Sequence, residues 1–294
     1  MKLHFPVFKR YMYEERRKSL NEQGGYEQTM SQDSEDSPLD LFSLKDRVVL
    51  LTGASGGIGK TLALGLARAG AVLALTDHVC DSLITLQQQI EEIEGQADVF
   101  IADLSQQTTI PALVDSVLNR YQRVDVLINC AGINKRTPIE EVTGEVYESI
   151  MAVNLRSAYF LSQAVVKHMV DSKKGGKIIH IGSINASTAL AQVSVYAMAK
   201  AALAQATKNM AVEWAKHNIQ VNCLSPGFIT TPLSLPLWND PRKKQWILDR
   251  VPQKRLGSPK ELLGATIYLA SQASSYMTGQ TMYIDGGFLA GSEW

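Results

Sequence analysis

Tyr196 and Lys200 stand four residues apart, and Ser183 precedes Tyr196 by thirteen. Residues at i and i+4 share one face of a helix. A lysine ammonium beside a phenol favours the phenolate and lowers its pKa from about 10. This reading makes Tyr196 a general acid/base near neutral pH, with the Ser183 hydroxyl as partner for a carbonyl or alcohol oxygen. A second group lies far upstream, in Thr52-Gly-Ala-Ser-Gly-Gly-Ile-Gly59. Small residues let a backbone turn sharply and approach a pyrophosphate. The spacing is Gly-x-x-x-Gly-x-Gly, through Gly53, Gly57 and Gly59, with Ser55 and Ile58 in the same loop.

These groups need a scaffold. Arg47–Thr52 is a short apolar run ending at the glycines, and Lys60–Ala69 has helical character. The alternation repeats. Strands are expected at Ala71–Thr76, Val99–Ala102, Val124–Ile128, Lys177–Ile181, Ile219–Leu224 and Thr281–Ile284. Helices are expected at Ser82–Glu94, Ile110–Tyr121, Val146–Val170 (as one long helix), Val195–His217 and Pro259–Ala270. Strand–helix alternation predicts an α/β single-domain Rossmann fold, a doubly wound, mostly parallel seven-stranded sheet flanked by helices. The glycine loop then opens a helix whose free N–H groups face an anion. Asp77 ends the second strand about 20 residues on, where an acid bonds the adenosine ribose hydroxyls. A carboxylate there repels a 2′-phosphate, and Gly56 puts no cation in the loop. NAD is therefore expected over NADP, although a protonated His78 could assist a phosphate.

The 294 residues are 45% hydrophobic and 20% charged, with zero net charge. No nucleic-acid partner is expected, and no apolar run approaches a membrane span. Cys80, Cys130 and Cys223 form no Cys-x-x-Cys pair, and the five histidines are scattered, so neither a disulfide framework nor a metal site is expected. A reducing, cytoplasmic setting follows as an expectation. Residues 1–40 run from basic-aromatic to acidic and lack a core pattern. They read as a flexible arm preceding a domain at 41–294, with Met30 a candidate alternative start.

Taken together, residues 44–294 resemble the short-chain dehydrogenase/reductase family. The resemblance rests on the glycine loop, Asp103, Asn129-Cys-Ala-Gly132, Asn154, Ser183, Tyr196/Lys200, Pro226-Gly227 and Asp285-Gly-Gly287, in that order. It implies that Asp103 and Leu104 edge the adenine, and that Asn129, Ala131 and Gly132 line the nucleotide. Pro226, Gly227, Ile229 and Thr231 would hold the nicotinamide and phosphates. Asn154, Ser183, Tyr196 and Lys200 would be catalytic, Asn154 holding a water in a proton relay and Lys200 also binding the ribose. The usual second Asn of the Asn-Asn-Ala-Gly segment is Cys130 here, which puts the hydrogen bonding of that segment in question.

Gly132-Ile-Asn-Lys-Arg-Thr-Pro138 looks like the arginine turn of gluconate 5-dehydrogenases and related sugar-acid dehydrogenases. It implies a polyol or sugar-acid substrate, with Arg136 gripping a carboxylate and Asn185 a hydroxyl. Residues 230–252 would form a mobile lid. The resemblance further implies a homotetramer or homodimer. Competing readings are a 3-oxoacyl-thioester reductase, a catalytically silent NAD-binding scaffold, and an arm that docks a partner.

Overall fold

The computed structural model describes residues 37–291, and its strands all belong to the unit that begins at Leu41. The first 36 residues, most of the expected arm, lie outside the described part. Seven parallel strands make one sheet in the order β3-β2-β1-β4-β5-β6-β7. They are β1 (Val48–Thr52), β2 (Val72–Asp77), β3 (Gln96–Ile101), β4 (Val126–Asn129), β5 (Gly176–Ile181), β6 (Ile219–Pro226) and β7 (Thr281–Ile284). Every residue of β1, β4 and β6 is buried. Strands buried along their whole length are covered on both faces.

Two apolar clusters sandwich the sheet. One joins Val49, Leu51, Leu73 and Leu75 to Leu62 and Leu66 of α1 (Gly57–Arg68), to α2 (Cys80–Glu91) and to α9 (Leu263–Ala270). The other joins Leu50, Leu127, Ile178 and Val221 to α3 (Thr109–Tyr121), α5 (Ser157–Asp171) and α6 (Ser194–Trp214). Alternate strand residues feed opposite clusters, as a two-residue period requires.

The strand order reverses between β1 and β4, so a crevice opens beyond their carboxyl ends. The glycine loop follows β1 and Cys130-Ala-Gly132 follows β4. The segment expected to form a lid carries two short helices, α7 (Leu235–Trp238) and α8 (Pro241–Arg250). Trp238, Ile247 and Val251 pack with Phe228, Leu256 and Phe288 in a small third cluster. The expected single helix over Val146–Val170 is not continuous. It comprises α4 (Gly144–Met151), a π-helical turn (Ala152–Arg156) and α5. Widening of this kind inside helices often occurs at functional sites.

Candidate active site

The glycine loop is shaped for close approach. Gly53 has φ +63°, and a β-carbon there would lie 2.7 Å from Ala131 Cα. At Gly59 it would lie 2.0 Å from the Gly53 carbonyl oxygen. No larger residue fits either position, so the loop stays tucked under β4 and α1 begins at the crevice. Gly56 precedes α1 without a side-chain cap. The first N–H groups of this helix are thus left for an anion.

Asp77 closes β2 beside this loop. Its Oδ2 accepts from Ser55 Oγ at 2.6 Å and Ser55 N at 3.2 Å. Its Oδ1 accepts from His78 N at 2.8 Å and pairs with His78 Nδ1 at 2.7 Å. Burial acts to raise the carboxyl pKa, but the bonds from Ser55 and His78 outweigh it and hold the group below its usual value. Asp103 lies exposed after β3, its Oδ1 accepting from Ser105 N at 2.9 Å. The Leu104 side chain is buried in the second cluster, so only its backbone is left to edge an adenine.

The segment after β4 does not depend on the side chain of residue 130. The Thr52 hydroxyl accepts from Cys130 N at 3.0 Å and Ala131 N at 3.1 Å. Asn129 Nδ2 donates to Ser162 Oγ and reaches His180 Nδ1, each at 3.1 Å. Burial pushes the Cys130 thiol up to about 12, which removes any thiolate chemistry at neutral pH.

Asn154 sits in the π turn, 1% exposed. Its Oδ1 accepts from Ile133 N and its Nδ2 donates to Ile133 O, both at 2.7 Å. The amide therefore fixes the turn that presents residues 134–136. A relay water would have only its second amide hydrogen and remaining lone pair. Lys200 is 3% exposed and donates from Nζ to Ile181 O at 2.7 Å. A β-carbon on Gly132 would lie 3.2 Å from Asn154 Oδ1 and 3.6 Å from Lys200 Nζ. Gly132 thus faces both.

Ser183 and Tyr196 line one open cavity of about 350 Å³. Asn134, Arg136, Asn185, Trp238 and Lys243 share its walls. Lys200 Nζ is 5.7 Å from the Tyr196 ring centroid. The expectation that Lys200 lowers the Tyr196 pKa requires correction. Burial dominates and raises the phenol pKa. The opposing pulls come from the Ser183 hydroxyl and from the positive charge of Arg136. Lys200 is itself pushed down by burial, which outweighs the opposing pulls of Cys223 and Cys130.

Arg136 is held by its neighbours' backbone: Asn154 pins Ile133, and Thr137 N donates to Gln192 O at 2.9 Å. Across the crevice, Pro226 ends β6 and Ile229 bridges in parallel to Gly257. A β-carbon on Gly57 would lie 3.0 Å from Thr231 Cβ and 2.8 Å from Pro232 Cδ. Thr231 therefore rests on the glycine loop. The crevice fits a dinucleotide on these observations: a cradle that any β-carbon would fill, free helix N–H groups, and an acid at the end of β2.

Several site residues carry no recognisable signal in the sequence. Thr52 is a strand residue until the fold sets its hydroxyl under the backbone of β4. Ser234 Oγ accepts from Thr231 N at 2.8 Å and Trp238 Nε1 at 2.9 Å, and donates to Ile229 O at 2.7 Å. It organises the 229–238 segment, yet is one serine in a polar stretch. Lys243 sits in a charged run whose inward member only the helix phase reveals. No cluster of metal-ligating side chains occurs among the described residues. No helix among them is long and apolar enough to cross a membrane.

Comparison with known proteins agrees with this geometry. Residues 53–289 match a family described as enoyl-(acyl carrier protein) reductase. The chain is 37% identical over 255 residues to 2-dehydro-3-deoxy-D-gluconate 5-dehydrogenase of Escherichia coli (strain K12), spanning 86% of this chain and 99% of that protein. It is 37% identical to gluconate 5-dehydrogenase of Gluconobacter oxydans (strain 621H), over 84% of this chain and 96% of the relative. The crystal structure of a gluconate 5-dehydrogenase from Burkholderia cenocepacia J2315, in complex with NADP and tartrate, superposes with a TM-score of 0.84. It shares 37% identity over 86% of this chain and 99% of that one. Nucleotide crevice, paired Ser183 and Tyr196, buried Lys200 and these likenesses together identify the chain as a member of the short-chain dehydrogenase/reductase family, oxidoreductases that act on CH–OH groups with a nicotinamide cofactor.

Proposed function

We propose that this protein interconverts a secondary alcohol and a ketone on a sugar acid, in the manner of a gluconate 5-dehydrogenase. The observation that carries the reading is one cavity lined by Ser183, Tyr196 and the cation Arg136. A neutral polyol or an acyl thioester gives no reason for a guanidinium there, whereas a carboxylate pairs with it bidentately. The likeness to enzymes named for gluconate supports the same choice.

The chain's residues divide the work. Gly53, Ser55, Gly57, Ile58 and Gly59 would hold the pyrophosphate, and Asp77 the adenosine ribose. Asp103 and the Leu104 backbone would edge the adenine, Asn129, Ala131 and Gly132 line the nucleotide, and Pro226, Gly227, Ile229 and Thr231 hold its nicotinamide half. When bound, the nicotinamide ring supplies the hydride acceptor or donor. Tyr196 removes the alcohol proton in oxidation and returns it in reduction. Ser183 donates a hydrogen bond to the substrate oxygen as negative charge develops there. Lys200, held by Ile181 O, would bind the nicotinamide ribose and pass protons toward Asn154. Asn154 keeps the Asn134–Arg136 turn in position and borders the proton path from Lys200.

NAD is the preferred cofactor in this reading, because the Asp77 carboxylate is ionised and fixed by Ser55 and His78. A 2′-phosphate would meet that charge, although the Burkholderia relative carries NADP. The catalytic domain is taken as residues 41–294 with a mobile lid at 230–252, assembled as a homotetramer or homodimer in the cytoplasm.

The test is initial-rate kinetics with NAD and NADP over aldonates, keto-aldonates, neutral polyols and 3-oxoacyl thioesters. The expected result is turnover of aldonates with NAD, lowered about a thousandfold by Tyr196→Phe. Turnover confined to polyols or thioesters, or a fully active Tyr196→Phe enzyme, would overturn it.

A further inference from the structure

We infer that Lys243, on the lid helix α8, binds the substrate carboxylate together with Arg136, so that the substrate's acid group is what the lid recognises. This rests on the sugar-acid reading of the cavity. Lys243 lines the same cavity as Ser183, Tyr196 and Arg136, although it lies about 100 residues further along the chain than Arg136. Its neighbours Arg242 and Lys244 do not line that cavity. The phase of α8 accounts for this. Asp240 caps the helix, its Oδ1 accepting from the backbone N–H groups of Arg242 and Lys243 at 3.0 and 3.3 Å. Ile247 is buried in the small lid cluster, and Lys243 stands one turn before it on the same face.

The Lys243 ammonium is only loosely held. Its one ion pair among the described residues is with Asp240 Oδ2 at 3.6 Å, and its side chain is 54% exposed. Exposed pairs of this spacing contribute a fraction of a kcal/mol. Releasing Asp240 therefore costs little, and the ammonium can turn to a substrate carboxylate in the cavity it lines. The lid base, by contrast, is anchored by Trp238 Nε1 on Ser234 Oγ at 2.9 Å and by Phe228 edge-on to Trp238. A fixed base with a mobile cation at its edge suits a residue that engages only when the acid is present.

The experiment compares kcat/KM for an aldonate and for the neutral polyol of the same chain length. Enzymes are the wild type, Lys243→Gln, Lys243→Arg and, as a control on the same helix, Lys244→Gln. All are surface changes on a capped helix and retain the fold. The ratio of aldonate to polyol kcat/KM is expected to fall about tenfold in Lys243→Gln, through KM for the aldonate. It should be largely restored in Lys243→Arg and unaffected in Lys244→Gln. A wild-type preference for aldonates that Lys243→Gln keeps would overturn the inference and leave the sugar-acid reading intact. An equal fall in Lys244→Gln would overturn it too, since any lid charge would then do. A wild type without aldonate preference would remove both.

Discussion

Tyr196 is a phenol in conflict with its surroundings. Burial favours the neutral form, while Ser183 and the Arg136 charge favour the anion. Arg136 thus has an electrostatic effect on the base besides any contact with substrate. Removing it removes one of the two pulls toward tyrosinate, so the Tyr196 pKa rises. In Arg136→Ala the rising limb of the pH profile for alcohol oxidation is expected to move to higher pH. Measuring kcat/KM on a neutral polyol separates this shift from carboxylate binding. A limb that stays in place would show that the charge is screened from the phenol. Ser183, Tyr196, Lys200, Asp77 and the glycines were legible in the sequence because each keeps a fixed place relative to an element end. The sign of the Tyr196 shift was not legible, because burial is a property of the assembled cavity and not of a Tyr–Lys spacing.

At the scale of elements, β5 and the π turn do most to seat the site. His180 lies fully buried in β5, two residues before Gly182, with Nδ1 facing Asn129 and Nε2 without a partner among the described residues. Burial, with the Lys200 charge adding to it, pushes its pKa from 6.5 to about 3. The folded protein therefore refuses a proton that the unfolded chain accepts. Stability from this residue is complete above pH 6.5 and is lost as pH falls toward 3. His180→Asn is expected to flatten the fall in unfolding free energy between pH 6.5 and 4, measured by urea denaturation at each pH. A slope equal to wild type would mean that His180 protonates in place. The strand itself was plain from Lys177–Ile181. The break between α4 and α5 was not, since no glycine or proline interrupts residues 145–171 and the apolar periodicity runs through. The interruption arises where Asn154 turns inward to pair with Ile133, a tertiary demand with no local signature.

For the molecule as a whole, the doubly wound parallel sheet was readable from strand–helix alternation alone, because βαβ connections have few alternatives, whereas the reversal between β1 and β4 came from the fold. Assembly was readable only as a resemblance. One surface feature offers a place to test it: Tyr147, Met151, Leu155, Tyr159 and Phe160 border an apolar groove on α4, the π turn and α5. Tyr147 and Tyr159 are 40% and 44% exposed there. A groove of this character suits the same face of a second copy. Tyr159→Lys is expected to shift the protein toward smaller species in light scattering coupled to size exclusion. An unchanged mass would direct the interface elsewhere.

Thr231 and Pro232 rest on Gly57, so the first turn of the nucleotide-binding helix and the root of the lid share one contact. A ligand entering beside Gly57 must reckon with both, and the lid that carries Lys243 responds to the same displacement. Affinities at the two ends of the crevice are then reciprocal: whatever tightens the nucleotide on a given lid posture tightens the acid to the same degree. An enzyme built this way is hard to retune for one ligand without retuning it for the other.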